Sequence, residues 1–137
     1  MLVKEYFRDL QRKRHMIKLH KIRIEELSSR AEYVGINWGE RTSSTKDPHS
    51  NESVIALIID EKEKLLREIT IYQKEEKKAY EMICTLQDGN TMEIFDSRYF
   101  KEMKWEDIAD SLGVTFQWVH ELHRRGLHEL GERFPRL

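Results

Sequence analysis

Residues 105–124, Trp105-Glu-Asp-Ile-Ala-Asp-Ser-Leu-Gly-Val-Thr-Phe-Gln-Trp-Val-His-Glu-Leu-His-Arg124, decide how this chain is read. Apolar side chains fall at Ile108, Leu112, Val114, Val119 and Leu122, with small Ala109 and Gly113 between them. Ala109 allows two helices to cross closely, because a larger substituent would push them apart. Gly113 ends the first helix where φ turns positive without steric cost. Val114 plugs the turn into the core, and Thr115 suits the N-cap of the second helix. Val119 and Leu122 then form that helix's inner face. The pattern is that of a helix-turn-helix.

A helix-turn-helix has one common use, which is to lay its second helix in the major groove of double-stranded DNA. Side chains opposite Val119 and Leu122 would face the groove, namely Phe116, Gln117, His120, Glu121 and Arg124. Gln117 has the donor and acceptor for a bidentate pair with adenine, and Glu121 accepts from cytosine N4. Phe116 suits a thymine methyl. Thr115 and the open N–H groups of the first turn suit a phosphate, and Arg124 and Arg125 would hold the backbone. The competing reading makes all seven ordinary solvated positions on a helix of an interaction fold.

Composition sets the bounds. The chain has 137 residues, 36% charged and 39% apolar, with two prolines and six glycines. That balance favours long solvated helices over a compact sheet protein. The formal net charge of −1 gives no bulk electrostatic case for nucleic acid or membrane. The charge is uneven, however. Residues 1–30 hold nine Lys or Arg against four Asp or Glu, whereas residues 91–137 hold seven against nine. A net −2 module would bind DNA weakly alone, at roughly micromolar or worse. The basic cluster Arg8, Arg12-Lys13-Arg14, Lys18, Lys21 and Arg23 is a candidate for extra contacts, against a plainer reading as the solvated face of a helix.

The longest apolar run, Val54–Ile59, is about a third of a bilayer span. The first residues lack the apolar core of a signal peptide, and one cysteine, Cys84, excludes an internal disulfide framework. These features predict a soluble cytoplasmic protein with no membrane partner. Cys84 itself reads as a buried small apolar residue.

Upstream of the module the sequence divides into two helical seams. Tyr6, Leu10, Lys13, Ile17, His20, Ile24, Leu27 and Ala31 step by four and three, with Lys13 and His20 as polar interruptions. The seam breaks in a connector over 34–50. A second helix is expected from Asp47-Pro48, Asp capping and Pro in the first turn. It carries Ile58, Leu65, Ile69, Tyr72, Ala79, Ile83 and Leu86, with Val54, Ile55, Ile59 and Leu66 broadening the stripe. Two such helices joined by a flexible loop most simply fold back as an antiparallel hairpin, although pairing between chains stays open. Gln87–Thr91 is the next break, with Asp88-Gly89 as turn and Thr91 as cap. The fold class is therefore all-α: a long antiparallel, coiled-coil-like helical hairpin over 1–90, then a helix-turn-helix module over 91–137.

The module resembles region 4 of bacterial sigma factors, the helical domain that reads the promoter −35 element. The resemblance rests on Arg98-Tyr99-Phe100, Trp105–Ala109, Leu112–Thr115, Val119 and Gly126–Leu130. Lys104 stands where that family usually has a capping Ser or Thr, and Glu102 where a turn glycine is common. The whole chain resembles small phage or prophage proteins of Gram-positive bacteria, late-operon activator-like, in which a helical hairpin precedes such a module. What the resemblance implies is a non-enzymatic, sequence-specific transcription regulator, with RNA polymerase as a further partner and a homodimer through the hairpin as an open alternative. Phage small terminase subunits, which package DNA, and protein adaptors that bind polymerase are the rival readings.

Other residues draw plainer expectations. Trp105, Tyr99 and Phe100 read as core, and Trp118 as packed against Trp105 or Tyr99. His120 and His123 read as a surface pair, since no cysteine completes a zinc set around them and His128. No metal or cofactor is expected. The carboxylates of Asp60–Glu63 and Glu75–Glu76 alternate with lysines as solvated helix faces do, and no phosphate loop or nucleophile motif suggests an enzyme.

Overall fold

The structure is a computed structural model that describes residues 2–33 and 48–137, with only the backbone described for 32, 33 and 48–51. Its regular structure is helical throughout, with no strand among the described residues. The elements are α1 (Val3–Tyr33), α2 (Pro48–Ile83), α3 (Gly89–Phe95), α4 (Trp105–Leu112) and α5 (Phe116–Arg133). Between α3 and α4 the chain continues as a π-helical segment, Asp96–Phe100. Among the described residues no helix is long and apolar enough to cross a membrane.

Pro48 opens α2, where its missing N–H costs nothing; the expected Asp47 cap and residues 34–47 of the connector lie outside the described residues, whereas its last three positions, 48–50, already belong to the helix. The start of α3 differs from expectation. Asp88, not Thr91, is the N-cap: its carboxylate accepts from Thr91 N at 3.0 Å and from Thr91 Oγ1 at 2.8 Å. A carboxylate accepts both donors at once, which a hydroxyl one turn later cannot match.

Two compact units divide the chain: Met1–Lys13 with Tyr72–Leu137, and Arg14–Ile71. In the first unit, Val3, Phe7 and Leu10 of α1 join Ala79, Met82, Ile83 and Leu86 in one core with Phe95, Tyr99 and Leu130. Phe7 is fully buried, stacked on Tyr99 at 4.7 Å and edge-on to Phe95 at 5.7 Å. Tyr6 turns to the other side, where its hydroxyl donates to Glu75 Oε2 at 3.1 Å. A second core holds Ile94, Ile108, Ala109, Val119 and Leu122, with Trp105, Leu112 and Val114 half-buried against it.

In the second unit, Ala31 and Ile58 pack together with Leu27, Val54 and Ile55. His20 lies eleven residues before Ala31, and its ring meets Glu61 and, at 3.0 Å, Glu68. Moving back along α1 thus moves forward along α2, so the two segments run antiparallel within this unit. The α1 seam is buried at Ile17, Ile24 and Ala31. The broadened α2 stripe is only partly inside, since Ile59 is 50% and Leu66 66% exposed. A single partner helix covers a narrow stripe, and these two fall beyond its edge.

Candidate nucleic-acid interface

The candidate surface is built outward from the turn between α4 and α5. Gly113 caps α4 at φ 67°, in the left-handed region, and its N–H and that of Val114 bond back into the last turn. Thr115 then caps α5: its hydroxyl accepts from Trp118 N at 3.1 Å. Three residues therefore separate two capped helix ends. At the start of α4, Lys104 makes no side-chain cap, and Glu102 occupies φ 54°, the conformation a glycine takes most easily.

This local chemistry orients α5. Val119, Leu122, Gly126 and Leu130 are buried. Gly126 is required by packing, because a Cβ there would lie 2.5 Å from Phe95 Cε2 and 2.8 Å from Thr91 Cγ2. With that face held inward, Thr115, Phe116, Gln117, Arg124 and Arg125 are exposed, and His120 and Glu121 are half-buried.

The seven candidate residues separate into three groups. Phe116 meets the His120 ring edge-on at 4.4 Å, and His120 lies 4.8 Å from Trp105. Glu121 is engaged on its own helix: Arg124 donates to it through Nε at 3.1 Å and through Nη2 at 2.7 Å, and Arg125 Nε donates at 3.0 Å. Arg124 first and Arg125 second hold its carboxyl down at about 2. The Arg124 guanidinium is pushed up in turn by Glu121. Two of the module's cations are thus matched against one of its own anions. Gln117 and the capping Thr115 make up the third, outward group.

Several expectations are corrected here. Trp118 is 41% exposed, and its ring carries the Arg125 guanidinium at 5.1 Å instead of packing on Trp105 or Tyr99. About 100° per residue places it on the flank of α5 opposite Phe116, and there it borders a depression of about 380 Å³ with Asp88, Thr91 and Glu129. Trp105 is half-buried, with the Arg98 guanidinium over its face at 4.4 Å. Cys84 is exposed, because α2 has ended at Ile83 and the chain is turning there.

His123 is not a surface residue. It is 6% exposed, sharing a 2.7 Å hydrogen bond through Nε2 with the Tyr99 hydroxyl, amid the rings of Phe95 and Trp105. Burial first, then the positive charge of Lys4, His120 and Arg98, pulls its pKa down to about 4. Burial likewise raises Tyr99 to about 12. His123 is therefore neutral at pH 7. Among the described residues no group of three or more His, Cys, Asp or Glu is placed to hold a metal ion.

Two contributors to this surface were given no contact role by the sequence: Arg98, which appears there only within the resemblance, and Gln11. Arg98 sits in the π-helical segment, which turns its guanidinium onto Trp105 while Nη1 donates to Met103 O at 3.0 Å. Gln11, from α1, donates through Nε2 to Arg98 O at 3.0 Å. No spacing rule connects positions 11 and 98. No protein-family model, curated protein or solved structure matches this chain.

Proposed function

We propose that this chain is a sequence-specific DNA-binding regulator of transcription, of phage or prophage type and without catalysis, whose module is a sigma-region-4-like helix-turn-helix. The observation that carries this reading is the doubly capped turn at Gly113–Thr115. It supplies the left-handed residue and the N-cap that the motif requires, and it leaves Gln117 and Phe116 exposed at the start of an 18-residue helix. In this reading Gln117 reads a base edge, Phe116 meets an apolar base surface, and Arg124 and Arg125 hold phosphates. Their pairing with Glu121 lowers the positive field that they offer, so affinity depends on further contacts or on a second copy. RNA polymerase is the alternative source of that affinity.

The exposed apolar residues Leu19, Leu57, Ile59 and Leu66, all in the unit Arg14–Ile71, favour a second copy as the partner of the helical hairpin. Two-fold pairing would give each dimer two α5 helices.

The test is selection of bound fragments from a random DNA pool at two salt concentrations, with the wild type and Gln117→Ala/Arg124→Ala. An enriched motif that the double variant loses is the expected result. No enrichment even at low salt overturns the reading.

A further inference from the structure

The electrostatic shortfall of the module directs attention to the cations packed nearest to it. In the unit Met1–Lys13 with Tyr72–Leu137, the first turns of α1 belong to the same core as α3 and α5. Their orientation is set by three contacts on two sides of the helix. Tyr6 faces Glu75 of α2, whereas Phe7 stacks on Tyr99 and Gln11 reaches the Arg98 carbonyl. At about 100° per residue, Lys4 lies about 60° and Arg8 about 100° round the helix from Phe7, on Gln11's side and away from Tyr6. Both side chains are exposed.

From that flank a run of contacts leads to the front of α5. Gln11 bonds Arg98, Arg98 covers Trp105, Trp105 meets His120, and His120 meets Phe116. The charges of Lys4 and Arg8 are also felt in the module, Lys4 at His123 and Arg8 at Tyr99. We infer that Lys4 and Arg8 form the phosphate-binding edge of the DNA interface, contacting the backbone beside the groove that α5 enters. This inference rests on the reading of α5 as a DNA-contacting helix. It accounts for how an acidic module binds a polyanion: the cations are supplied from the far end of the sequence.

The experiment measures binding of the full-length chain to a mixed-sequence duplex, and to any duplex enriched by the selection, across a series of salt concentrations. The variants are Lys4→Gln/Arg8→Gln and the charge-keeping Lys4→Arg/Arg8→Lys. Two lost phosphate contacts should lower the slope of log affinity against log salt by about 1.8 and weaken binding by about 10- to 100-fold at 0.1 M salt. Base preference should be unchanged, and the charge-keeping variant should restore the slope. Wild-type binding with an equal slope in the glutamine variant overturns this inference and leaves the α5 reading standing. A wild type that binds neither duplex at low salt overturns both.

Discussion

His123 places an acid-sensitive group at the centre of the module. Its imidazole is buried among Phe95, Tyr99 and Trp105, so protonation in the folded state is held down to about 4 against an ordinary value of 6.5. A depressed histidine pKa means that the unfolded chain binds its proton first as the pH falls. Stability is therefore full above about 6.5 and declines below it until the folded state also protonates near 4. Linkage with these two values gives a loss of about 2 kcal/mol between pH 7 and pH 5, and about 3 kcal/mol by pH 4. Carboxylates also titrate in that range, so the informative quantity is the difference between wild type and His123→Gln, which keeps a polar partner for the Tyr99 hydroxyl and does not titrate. Hydrogen exchange of the amides of Ile94, Ile108 and Val119 reports the free energy of the unit that contains His123. The stability gap between the two proteins should shift in favour of the variant by about 2 kcal/mol from pH 7 to pH 5. A gap that stays flat over this interval, or a folded-state His123 titrating near 6.5 by NMR, would refute the account.

Two further outcomes test the packing of the two units. Gly126→Ala adds a good helix former, worth about 1 kcal/mol in an open helix, but puts its Cβ into Phe95, which neighbouring rings hold in place. Overpacking of this kind costs about 1–3 kcal/mol, so urea unfolding should show a net loss; a stabilised variant would show that the helix crossing is looser than described. In the unit Arg14–Ile71, His20 has carboxylates at both ring nitrogens, and its pKa is raised, chiefly by the hydrogen bond to Glu68. A raised value stabilises fully below 6.5 and is lost as the pH climbs through the folded value, opposite in sign to His123. The His20 NMR titration should fall above 6.5, and a midpoint at or below that value would count against the paired geometry.

Much of the architecture was legible because its causes are local. The alternating steps of four and three from Tyr6 to Ala31 mark one face of a helix, and α1 spans Val3–Tyr33 with Tyr6, Leu10, Ile17, Ile24 and Ala31 buried. Gly113 and Thr115 act through their own backbone and the next turn, so their roles as caps follow from residue type and spacing alone. The buried Ile108, Ala109, Val119 and Leu122 repeat at a helical period, which any packed helix enforces.

Residues at the edges of an apolar stripe were decided by what lies across from them, and neighbouring sequence carries no record of that. Trp118 and His123 both flank the inner face of α5. His123 went inside because the π-helical segment delivers Tyr99 as its hydrogen-bond partner, while Trp118 stayed out under Arg125. Ile59 and Leu66 read as core by hydropathy, yet the single helix opposite them is too narrow to cover them. The basic residues at the start of α1 could be counted from the sequence but not placed. Packing Phe7 against Tyr99 is what sets Lys4 and Arg8 beside the module, a contact between residues more than ninety positions apart. Periodicity and capping are properties of a few consecutive residues. The sharing of a surface between distant segments arises only when their apolar faces bury each other.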